Sequence, residues 1–523
     1  MNESVANKLQ WSPRTIRHIL VILIVLGAAA RTYHISDPVF GWHGFRQHDT
    51  AAIARNFYDG SLNILYPQVD WRGNSPGYVE SEFQIYTGLV ASLYRIVGPH
   101  EWAGRALNIL FYALSAFLLF ALTRRTFGWE SALCAVFFYS IAPIALYFNR
   151  SFQPDTLLAL CAIAAIYYFW EWTDKERVYH FWISLIALII AVLIKPPSLY
   201  LGLPLLYLSY VKFGPRLFLK SSLWLFATLT IVPSIAWYSH SLSLWQTYGN
   251  TFGILGRNTI AGIWPINDRH WWWLAENLGY RLLYQIATPV GLVFLIVGAF
   301  SKHLVSARVW FAWLAGFAVY IALVPRAHWG HNYRQLQLVF ITSALMGYGT
   351  VLLYRKRLLT IPVLGLLMAL MLPFAALELR NAFRLPPNAR ARIAFGERVN
   401  TLTEPGALVI FAVPLLDSVS TVDQKGFLYR HRTPEGEFLY DDPYDFYYSR
   451  RKGWSLDESQ ASPEFVEILR QRGAKYFATF FPGVLRRHPE LVAALEQSYT
   501  PVEVTPKWVL YRLTKPPNVS DPS

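Results

Sequence analysis

The sequence predicts a mainly α-helical, polytopic membrane protein with about eleven transmembrane helices, an N-terminus inside the cell and a small extracytoplasmic α/β domain at the C-terminal end. Hydrophobic residues make up 54% of the 523 positions and charged residues only 15%, and the mean hydropathy is +0.28. A soluble chain carries roughly a quarter charged residues. Long apolar blocks and the grouping of basic residues between alternate blocks complete the argument.

Apolar blocks of near-membrane length recur along the first three quarters of the chain. A helix needs about 20 mostly apolar residues to cross the hydrocarbon core. The candidate spans are residues 15–32, 103–122, 130–148, 155–172, 180–195, 197–211, 220–238, 278–300, 307–324, 334–353 and 357–377. The first block is interpreted as a retained span and not as a cleavable signal.

Basic side chains place alternate connections on one side of the membrane. They occur at Lys8, Arg14, Arg17, Arg124–Arg125, Lys175–Arg177, Lys212–Lys220, Lys302–Arg308 and Arg355–Arg357. The positive-inside rule makes this side cytoplasmic. These residues explain much of the net charge of +14, so no nucleic-acid partner is required. Both cysteines, Cys134 and Cys161, lie inside apolar blocks, so no disulfide framework is expected.

The opposite, extracytoplasmic side receives the unusual polar sequence. We assign residues 1–379 to a transmembrane domain, including a long first external loop at residues 33–101, and residues 380–523 to an extracytoplasmic α/β domain. In the loop, apolar residues at helical spacing from 53 to 58 and the aromatic stretch 83–97 predict two interfacial helices. In the C-terminal domain, residues 406–413, 474–481 and 508–514 predict strands, and 462–472 and 487–497 predict helices.

The first loop opens with Arg46, Gln47, His48 and Asp49 side by side. Asp49 has two interpretations: an ordinary helix N-cap, or a carboxylate that removes a proton from an acceptor. His48 and Asp49, with Glu82 and His270, are also candidate ligands of a divalent metal ion, although their spacing matches no closed zinc motif.

Glu80 and Glu82 flank Ser81 just before the second interfacial stretch. Two carboxylates two residues apart share a face in a strand and diverge in a helix. Either one could act as a base or a ligand while the other is a solvated loop charge.

Asp155 and Lys195 stand at the edges of two later spans, on the same side as Asp49. Ionisable residues in this position are functional candidates by default, with helix capping as the alternative for Asp155. Lys195 precedes two prolines and suits a lipid phosphate, although a snorkelling anchor is the alternative. Nearby Arg150 is a candidate partner for Asp155.

A short turn before a late span gathers five cationic or aromatic candidates for binding a polyanion, with anchoring at the level of the lipid headgroups as the alternative. They are Arg326, His328, His331, Tyr333 and Arg334. Arg257 and His270, in the loop at residues 239–276, are weaker candidates of the same kind.

Four stretches together resemble a known superfamily. They are the polar first loop, "RSFQPDTLL", "LIKPPSLYLGLPLLYL" and "NYRQLQLVFITSALMG", in this order over residues 15–380. The pattern is similar to the GT-C glycosyltransferases, and especially to the group of protein O-mannosyltransferases and lipid A aminoarabinose transferases. The resemblance implies that Asp155 matches a family aspartate at a span entrance and that Lys195 matches a lysine near the donor phosphate.

The resemblance is incomplete in the first loop. Many relatives carry an acidic pair ahead of "IAR", and Arg46-Gln47 stand at those positions in this chain. Asp49 lies about one helical turn later, so the base is either Asp49 from a shifted position or one of Glu80 and Glu82. The polar site at Glu80–Glu82 precedes Phe83-Gln84, where relatives have paired prolines.

The resemblance implies a polytopic enzyme of the inner or plasma membrane, with its active site and C-terminal domain on the extracytoplasmic side. It would transfer a sugar from a polyprenyl-phosphate donor to a lipid, glycan or protein acceptor, by inverting single displacement and with a divalent metal ion in some relatives. The alternatives are a transporter or flippase of lipid-linked sugars, which requires broken spans with central charges, and a polymerase or ligase of lipid-linked glycans.

Overall fold

The protein is described from a computed structural model, which covers residues 11–254, 268–301, 307–414, 430–432, 438–440 and 442–514. Its first α-helices are α1 (Pro13–Arg31), α2 (Gly44–Asp59), α3 (Ile85–Val97), α4 (Glu101–Phe127), α5 (Trp129–Ile141), α6 (Pro143–Phe148), α7 (Asp155–Lys175), α8 (Val178–Ile194), α9 (Gly202–Phe213) and α10 (Ser221–Tyr248). They are followed by α11 (Asp268–Tyr280), α12 (Thr288–Ala299), α13 (Arg308–Leu323), α14 (Pro325–Gly330), α15 (Leu338–Arg355), α16 (Ile361–Ala382), α17 (Ala389–Leu402), α18 (Tyr444–Ser449), α19 (Pro463–Gln471), α20 (Pro482–Arg486) and α21 (Pro489–Ser498).

Nine short strands complete the described secondary structure. They are β1 (Val79–Glu80), β2 (Asn250–Thr251), β3 (Leu408–Val413), β4 (Arg430–Arg432), β5 (Phe438–Tyr440), β6 (Lys452–Asp457), β7 (Ala474–Thr479), β8 (Thr500–Val504) and β9 (Val509–Arg512).

The chain forms two compact units. The first contains Met1–Trp42, Ile96–Ser239 and Gly253–Arg384, and the second contains His43–Arg95, His240–Phe252 and Leu385–Ser523. Most of the first external loop, from His43 to Arg95, and the C-terminal region from Leu385 therefore belong to one unit, although 289 residues separate them along the chain.

The first unit is a helix bundle of a multi-pass membrane protein. Among the described residues, six helices are long and apolar enough to span a membrane: α1, α4, α7, α10, α15 and α16. A seventh candidate, Trp271–Ile286 with Thr288–Ala299, is bent by 100° at its break. The exact number of eleven spans is therefore not confirmed. Some of the predicted spans, such as α8 and α13, are shorter apolar helices. The predicted span at residues 130–148 is divided into α5 and α6 at Pro143.

Glycines allow the central helices of this bundle to approach closely. A Cβ atom on Gly298 of α12 would lie 2.0 Å from the carbonyl oxygen of Leu345 in α15. Likewise, a Cβ on Gly349 of α15 would lie 2.0 Å from the carbonyl oxygen of Phe294 in α12. Small residues at helix interfaces are the usual solution in membranes, where water supplies no driving force between helices.

In the second unit, the helix expected in the first loop is present as α2, and it is buried over most of its length. Its Arg55 donates to the carboxylate of Asp70 at 2.8 Å and to the carbonyl oxygen of Tyr447 at 2.6 Å. Asn56 also donates to Asp70 at 2.9 Å. Burial lowers the pKa of Arg55, but the charges of Asp70, Tyr447 and Asp59 and the hydrogen bond to Asp70 together raise that pKa overall. This buried ion pair fixes α2 to the rest of its loop and to the C-terminal region.

The C-terminal region of the second unit is an α/β fold around a five-stranded sheet of order β6-β3-β7-β9-β8. Strand β3 pairs in parallel with β6 and β7, whereas β9 pairs antiparallel with β7 and β8. Helices α19 and α21 contribute Val466, Leu469, Leu491 and Leu495 to its apolar core. The strands and helices expected in this region are therefore present, although the domain boundary at residue 380 stays a prediction.

Candidate active site

The first unit brings together four predicted residues, Asp155, Lys195, Tyr333 and Arg334, which we call the lysine cluster. Asp155 is the first residue of α7, and Lys195 caps the C-terminal end of α8 before Pro196. These positions suit their charges, because helix N-termini favour anions and C-termini favour cations. The two side chains form a buried ion pair. Lys195 is therefore the partner of Asp155, instead of Arg150, which donates to the carbonyl oxygen of His34.

Aromatic side chains support the two cations of the lysine cluster. The ammonium of Lys195 lies 4.5 Å from the ring centroid of Tyr333, a cation–π distance. The guanidinium of Arg334 donates to the hydroxyl of Tyr320 at 2.9 Å. The ring of Tyr320 stacks on that of Tyr200 at 5.5 Å, with an angle of 4° between planes. Lys195 and Arg334 are thus held in place by neutral groups in addition to Asp155.

A small cavity lies among these residues and is also lined by Ser198 and Gln337. Among the described residues, three buried polar atoms at the cavity have no hydrogen-bond partner: the hydroxyl of Tyr200, Nε of Arg334 and Oε1 of Gln337. The described lining contains two cations and one carboxylate, which leaves one net positive charge. Such a cavity suits a small anion.

A second polar layer lies behind Arg334. Arg281 donates to the carbonyl oxygen of His328 and, at 3.1 Å, to Oε1 of Gln335. The amide of Gln335 is 2.8 Å from Nδ1 of His328, whose ring contacts the ring of Tyr320 edge-on at 4.2 Å. Burial lowers the pKa of His328 well below its usual value, and the positive charges of Arg334, Arg281 and Lys195 lower it further. His328 is therefore neutral near pH 7 and adds no charge to the cavity.

The structure describes the remaining predicted phosphate contacts only in part. His331 is half-buried, with its ring 5.2 Å from that of Tyr333. Arg326 lies in α14 and His270 in α11, but their side chains lie outside the described part of the structure. Arg257 lies outside the described residues altogether.

The second unit brings together Arg46, Asp49, Trp71, Glu80 and Glu82, which we call the first-loop cluster. Asp49 is buried, and its Oδ1 accepts a hydrogen bond from the indole nitrogen of Trp71 at 2.8 Å. The N-cap interpretation of Asp49 is wrong, because α2 begins at Gly44 after His43, whose φ of 53° lies in the left-handed region. Asp49 therefore lies in the second turn of the helix, with Arg46 three residues earlier on a neighbouring position of the same face.

Glu82 forms an ion pair with Arg46. The guanidinium of Arg46 also lies 5.2 Å from the ring centroid of Phe252. The second carboxylate oxygen of Glu82, Oε2, is buried and has no hydrogen-bond partner among the described residues. Glu82 is thus held by a cation on one oxygen only.

Glu80 has a different environment. It lies in β1, which pairs in parallel with β2, and its carboxylate accepts a hydrogen bond from the hydroxyl of Thr251. Its backbone carbonyl accepts from the amide of Phe252 at 2.9 Å. These contacts indicate that Glu80 joins two loop segments, and they leave Asp49 and Glu82 as the stronger candidates for proton transfer.

His48 and Gln47 are buried in α2. The two ring nitrogens of His48 lie 2.7 Å from the carbonyl oxygen of Gly44 and 3.1 Å from the hydroxyl of Tyr448. Its ring also contacts Tyr444 at 4.4 Å and Tyr447 at 5.3 Å. His48 therefore packs under α18 and serves the structure of the second unit.

The candidate metal ligands do not form a site in the described part of the chain. There, no group of three or more His, Cys, Asp or Glu side chains is arranged to hold a metal ion. Of the four expected ligands, His48 is engaged with Gly44 and Tyr448, Glu82 is paired with Arg46, and the side chain of His270 lies outside the described part. We therefore derive no step through a metal.

Three aromatic contributors to these sites were missed from the sequence. Trp71 lies in a loop stretch that carried only a turn signal, and Tyr200 and Tyr320 lie in apolar stretches. A buried tyrosine or tryptophan usually finds a partner for its O–H or N–H group. Aromatic residues with polar handles next to predicted charged sites were therefore the available signal.

Comparison with protein families gives one match within this chain. The family described as dolichyl-phosphate-mannose-protein mannosyltransferase matches residues 87–239, which include Asp155 and Lys195. No curated protein matches the chain.

Several solved structures share its fold at low sequence identity. ArnT from Cupriavidus metallidurans bound to undecaprenyl phosphate has a TM-score of 0.62 and 13% identity, over 96% of this chain and 99% of that one. The Archaeoglobus fulgidus oligosaccharyltransferase in complex with Zn and sulfate has a TM-score of 0.52 and 14% identity, over 92% of this chain and 71% of that one. The arabinofuranosyltransferase AftD from Mycobacteria has a TM-score of 0.53 and 12% identity, over 96% of this chain but 40% of that one.

The chain therefore has the fold of these solved structures, and the GT-C fold class predicted from its sequence is confirmed. The family match runs from α3 into α10, which is less than a third of the chain.

Proposed function

We propose that the protein transfers a sugar from a polyprenyl-phosphate donor to a lipid, glycan or protein acceptor, at the extracytoplasmic face of the inner or plasma membrane. The observation that carries this proposal is the lysine cluster, which places two cations around a small cavity in a GT-C fold. The resemblance of the sequence implies that Asp155 and Lys195 match family residues near the donor phosphate. Arg257, Arg326 and His331 stay predicted contacts of the donor phosphate.

The charge of the cavity favours a monophosphate donor. A sugar bound to a lipid through one phosphate carries one negative charge, whereas a lipid-diphosphate donor carries two. The described lining has one net positive charge, from Lys195, Arg334 and Asp155, which matches the first donor. This supports a polyprenyl-phosphate sugar over the lipid-diphosphate glycans that a polymerase or ligase would use.

The lysine cluster also suits the transition state of transfer. As the bond between the anomeric carbon and the phosphate oxygen breaks, the lipid phosphate gains a second negative charge. Lys195 and Arg334 would stabilise that developing charge, and the unpartnered Nε of Arg334 offers a donor that needs no rearrangement. Donors fixed in advance are the effective kind, because they cost no reorganisation during the reaction.

We assign proton removal from the acceptor hydroxyl to Asp49. Glu80 is engaged by Thr251, and Glu82 is paired with a guanidinium, which stabilises its ionised form and weakens it as a base. The indole nitrogen of Trp71 donates to the Asp49 carboxylate and orients it. Attack by the acceptor oxygen opposite to the leaving phosphate gives inversion at the anomeric carbon.

An apolar groove in the first unit is suited to the polyprenyl chain. It is lined by Phe169, Leu188, Leu205, Trp224 and other apolar residues of α7 to α10. Leu199, which also lines it, lies directly between Ser198 and Tyr200 of the cavity. A lipid with its phosphate at Lys195 could therefore place its tail in this groove.

The experiment that tests the proposal supplies purified protein with a radiolabelled polyprenyl-phosphate sugar and measures the release of free lipid phosphate. A matched reaction uses the same sugar on a lipid diphosphate. We expect turnover of the monophosphate donor alone. Absence of turnover, together with movement of the intact lipid across vesicles, would overturn the proposal in favour of the transporter. Turnover of the diphosphate alone would favour the polymerase or ligase.

A further inference from the structure

A second apolar groove in the first unit has no role in the proposed reaction. It lies between the first turns of α5 and α16 and the last turn of α15, and Leu133, Tyr354, Leu364 and Met368 line it. Trp11 and Trp129 close one side, with their ring centroids 5.1 Å apart. This groove is almost entirely apolar and opens to the outside of the helix bundle.

Helix α15 places this groove far from the lysine cluster. It has 18 residues, which correspond to a length of about 27 Å, close to the thickness of the hydrocarbon core. The helix begins at Leu338, next to Gln337 of the cavity, and its last turn lines the groove at Val351 and Tyr354. The groove and the lysine cluster therefore lie near opposite faces of the membrane.

The rim of the groove is positively charged. Lys356 and Arg357 are exposed in the turn that joins α15 to α16, and Arg14 and Arg17 are exposed on α1 just after Trp11. The carboxylate that lines the described part of the groove, Glu130, is paired with Arg355. Its charge is thereby compensated, so it opposes an incoming anion less than a lone carboxylate would.

We propose that this groove binds an anionic phospholipid of the cytoplasmic leaflet. An acyl chain would fill the apolar space beside Trp129 and Met368, while the phosphate would lie near Lys356 and Arg357. Basic residues at the cytoplasmic ends of membrane helices attract anionic headgroups, with a contribution of about fivefold in affinity for each cation. The proposal does not depend on the proposed transfer reaction.

The test is native mass spectrometry of the full-length protein, stripped of lipid and titrated with phosphatidylglycerol or with phosphatidylcholine of the same acyl chains. We expect one phosphatidylglycerol to bind more tightly than phosphatidylcholine. The double variant Lys356→Gln/Arg357→Gln should lose about tenfold to thirtyfold of the affinity for phosphatidylglycerol.

A second pair of variants separates the groove from general lipid contact. Gly365 lines the groove, and a Cβ at this position meets no atom within 4 Å, so Gly365→Leu adds an apolar side chain to the groove from an open position. We expect it to displace the bound lipid. Leu366→Phe, at the neighbouring exposed position of α16, is the matched control and should bind as the wild type does. Equal binding of the two lipids, or unchanged binding in both Gly365→Leu and the double variant, would overturn the proposal.

Discussion

The buried pair of Lys195 and Asp155 allows the net charge of the cavity to be changed in both directions. Lys195→Met lowers the described charge from one positive to zero, and Asp155→Asn raises it to two. The double variant restores one positive charge, now carried by Arg334 alone. Binding of free polyprenyl phosphate should follow this order, with Asp155→Asn tightest, the double variant near the wild type and Lys195→Met weakest.

The size of each step follows from Coulomb's law. One unit charge about 6 Å from a phosphate, at an effective dielectric constant of about 20, contributes roughly 3 kcal/mol. That corresponds to about a hundredfold change in affinity. The assay is inhibition of sugar transfer by free polyprenyl phosphate, supported by direct binding in detergent.

Stability must be measured beside affinity, because Lys195→Met leaves the carboxylate of Asp155 buried without its partner. Breaking a buried pair in this way costs about 3–5 kcal/mol, whereas removing both charges is far less costly. The double variant should therefore melt closer to the wild type than Lys195→Met does. Lys212→Met removes a more exposed lysine, paired with Glu176, and is the matched control. Equal inhibition constants for all three cavity variants would refute the charge argument.

Three further predictions concern the residues around the two clusters. Asp49→Asn should lower kcat by about 10²–10⁴-fold with little change in KM, whereas Glu80→Gln and Glu82→Gln should keep most of kcat. Steady-state kinetics of the three variants decide the base. Tyr320→Phe removes the hydroxyl that accepts a hydrogen bond from Arg334. This variant should raise KM for the donor about fivefold to tenfold, with a smaller effect on kcat. An unchanged KM would show that Tyr320 does not position Arg334 for the donor. Because burial lowers the pKa of His328, the unfolded chain binds a proton below pH 6.5 that the folded protein excludes, so stability is constant above that pH and falls below it. Melting curves between pH 7.5 and 5 should show the melting temperature falling below about pH 6.5. His328→Gln should reduce this pH dependence, and an equal pH dependence in the variant and the wild type would contradict the assignment.

The sequence predicted the class of the fold and the residues of the lysine cluster because both depend on local patterns. Apolar blocks and basic connections identify a membrane bundle, and charged residues at span edges stand out against them. Asp155 and Lys195 are found in this way, although 40 positions separate them. Their direct pairing is a property of how α7 and α8 pack, and no local pattern encodes it.

The first-loop cluster was harder to predict because its partners come from distant segments. Thr251 lies 171 positions from Glu80, and Trp71 lies 22 positions from Asp49. The N-cap interpretation failed because a non-glycine residue, His43, adopts a left-handed conformation and starts the helix earlier than the sequence suggests. Tyr320 was missed because a tyrosine in an apolar span is usually interpreted as a membrane-interface residue.

The central claim is that Lys195 and Arg334 bind the phosphate of a lipid-linked sugar. A structure of the protein with a non-transferable polyprenyl-phosphate sugar analogue tests it most directly. We expect the phosphate within about 3.5 Å of Nζ of Lys195 and of the guanidinium of Arg334. A phosphate bound elsewhere, with the pair of Lys195 and Asp155 unchanged, would contradict the account.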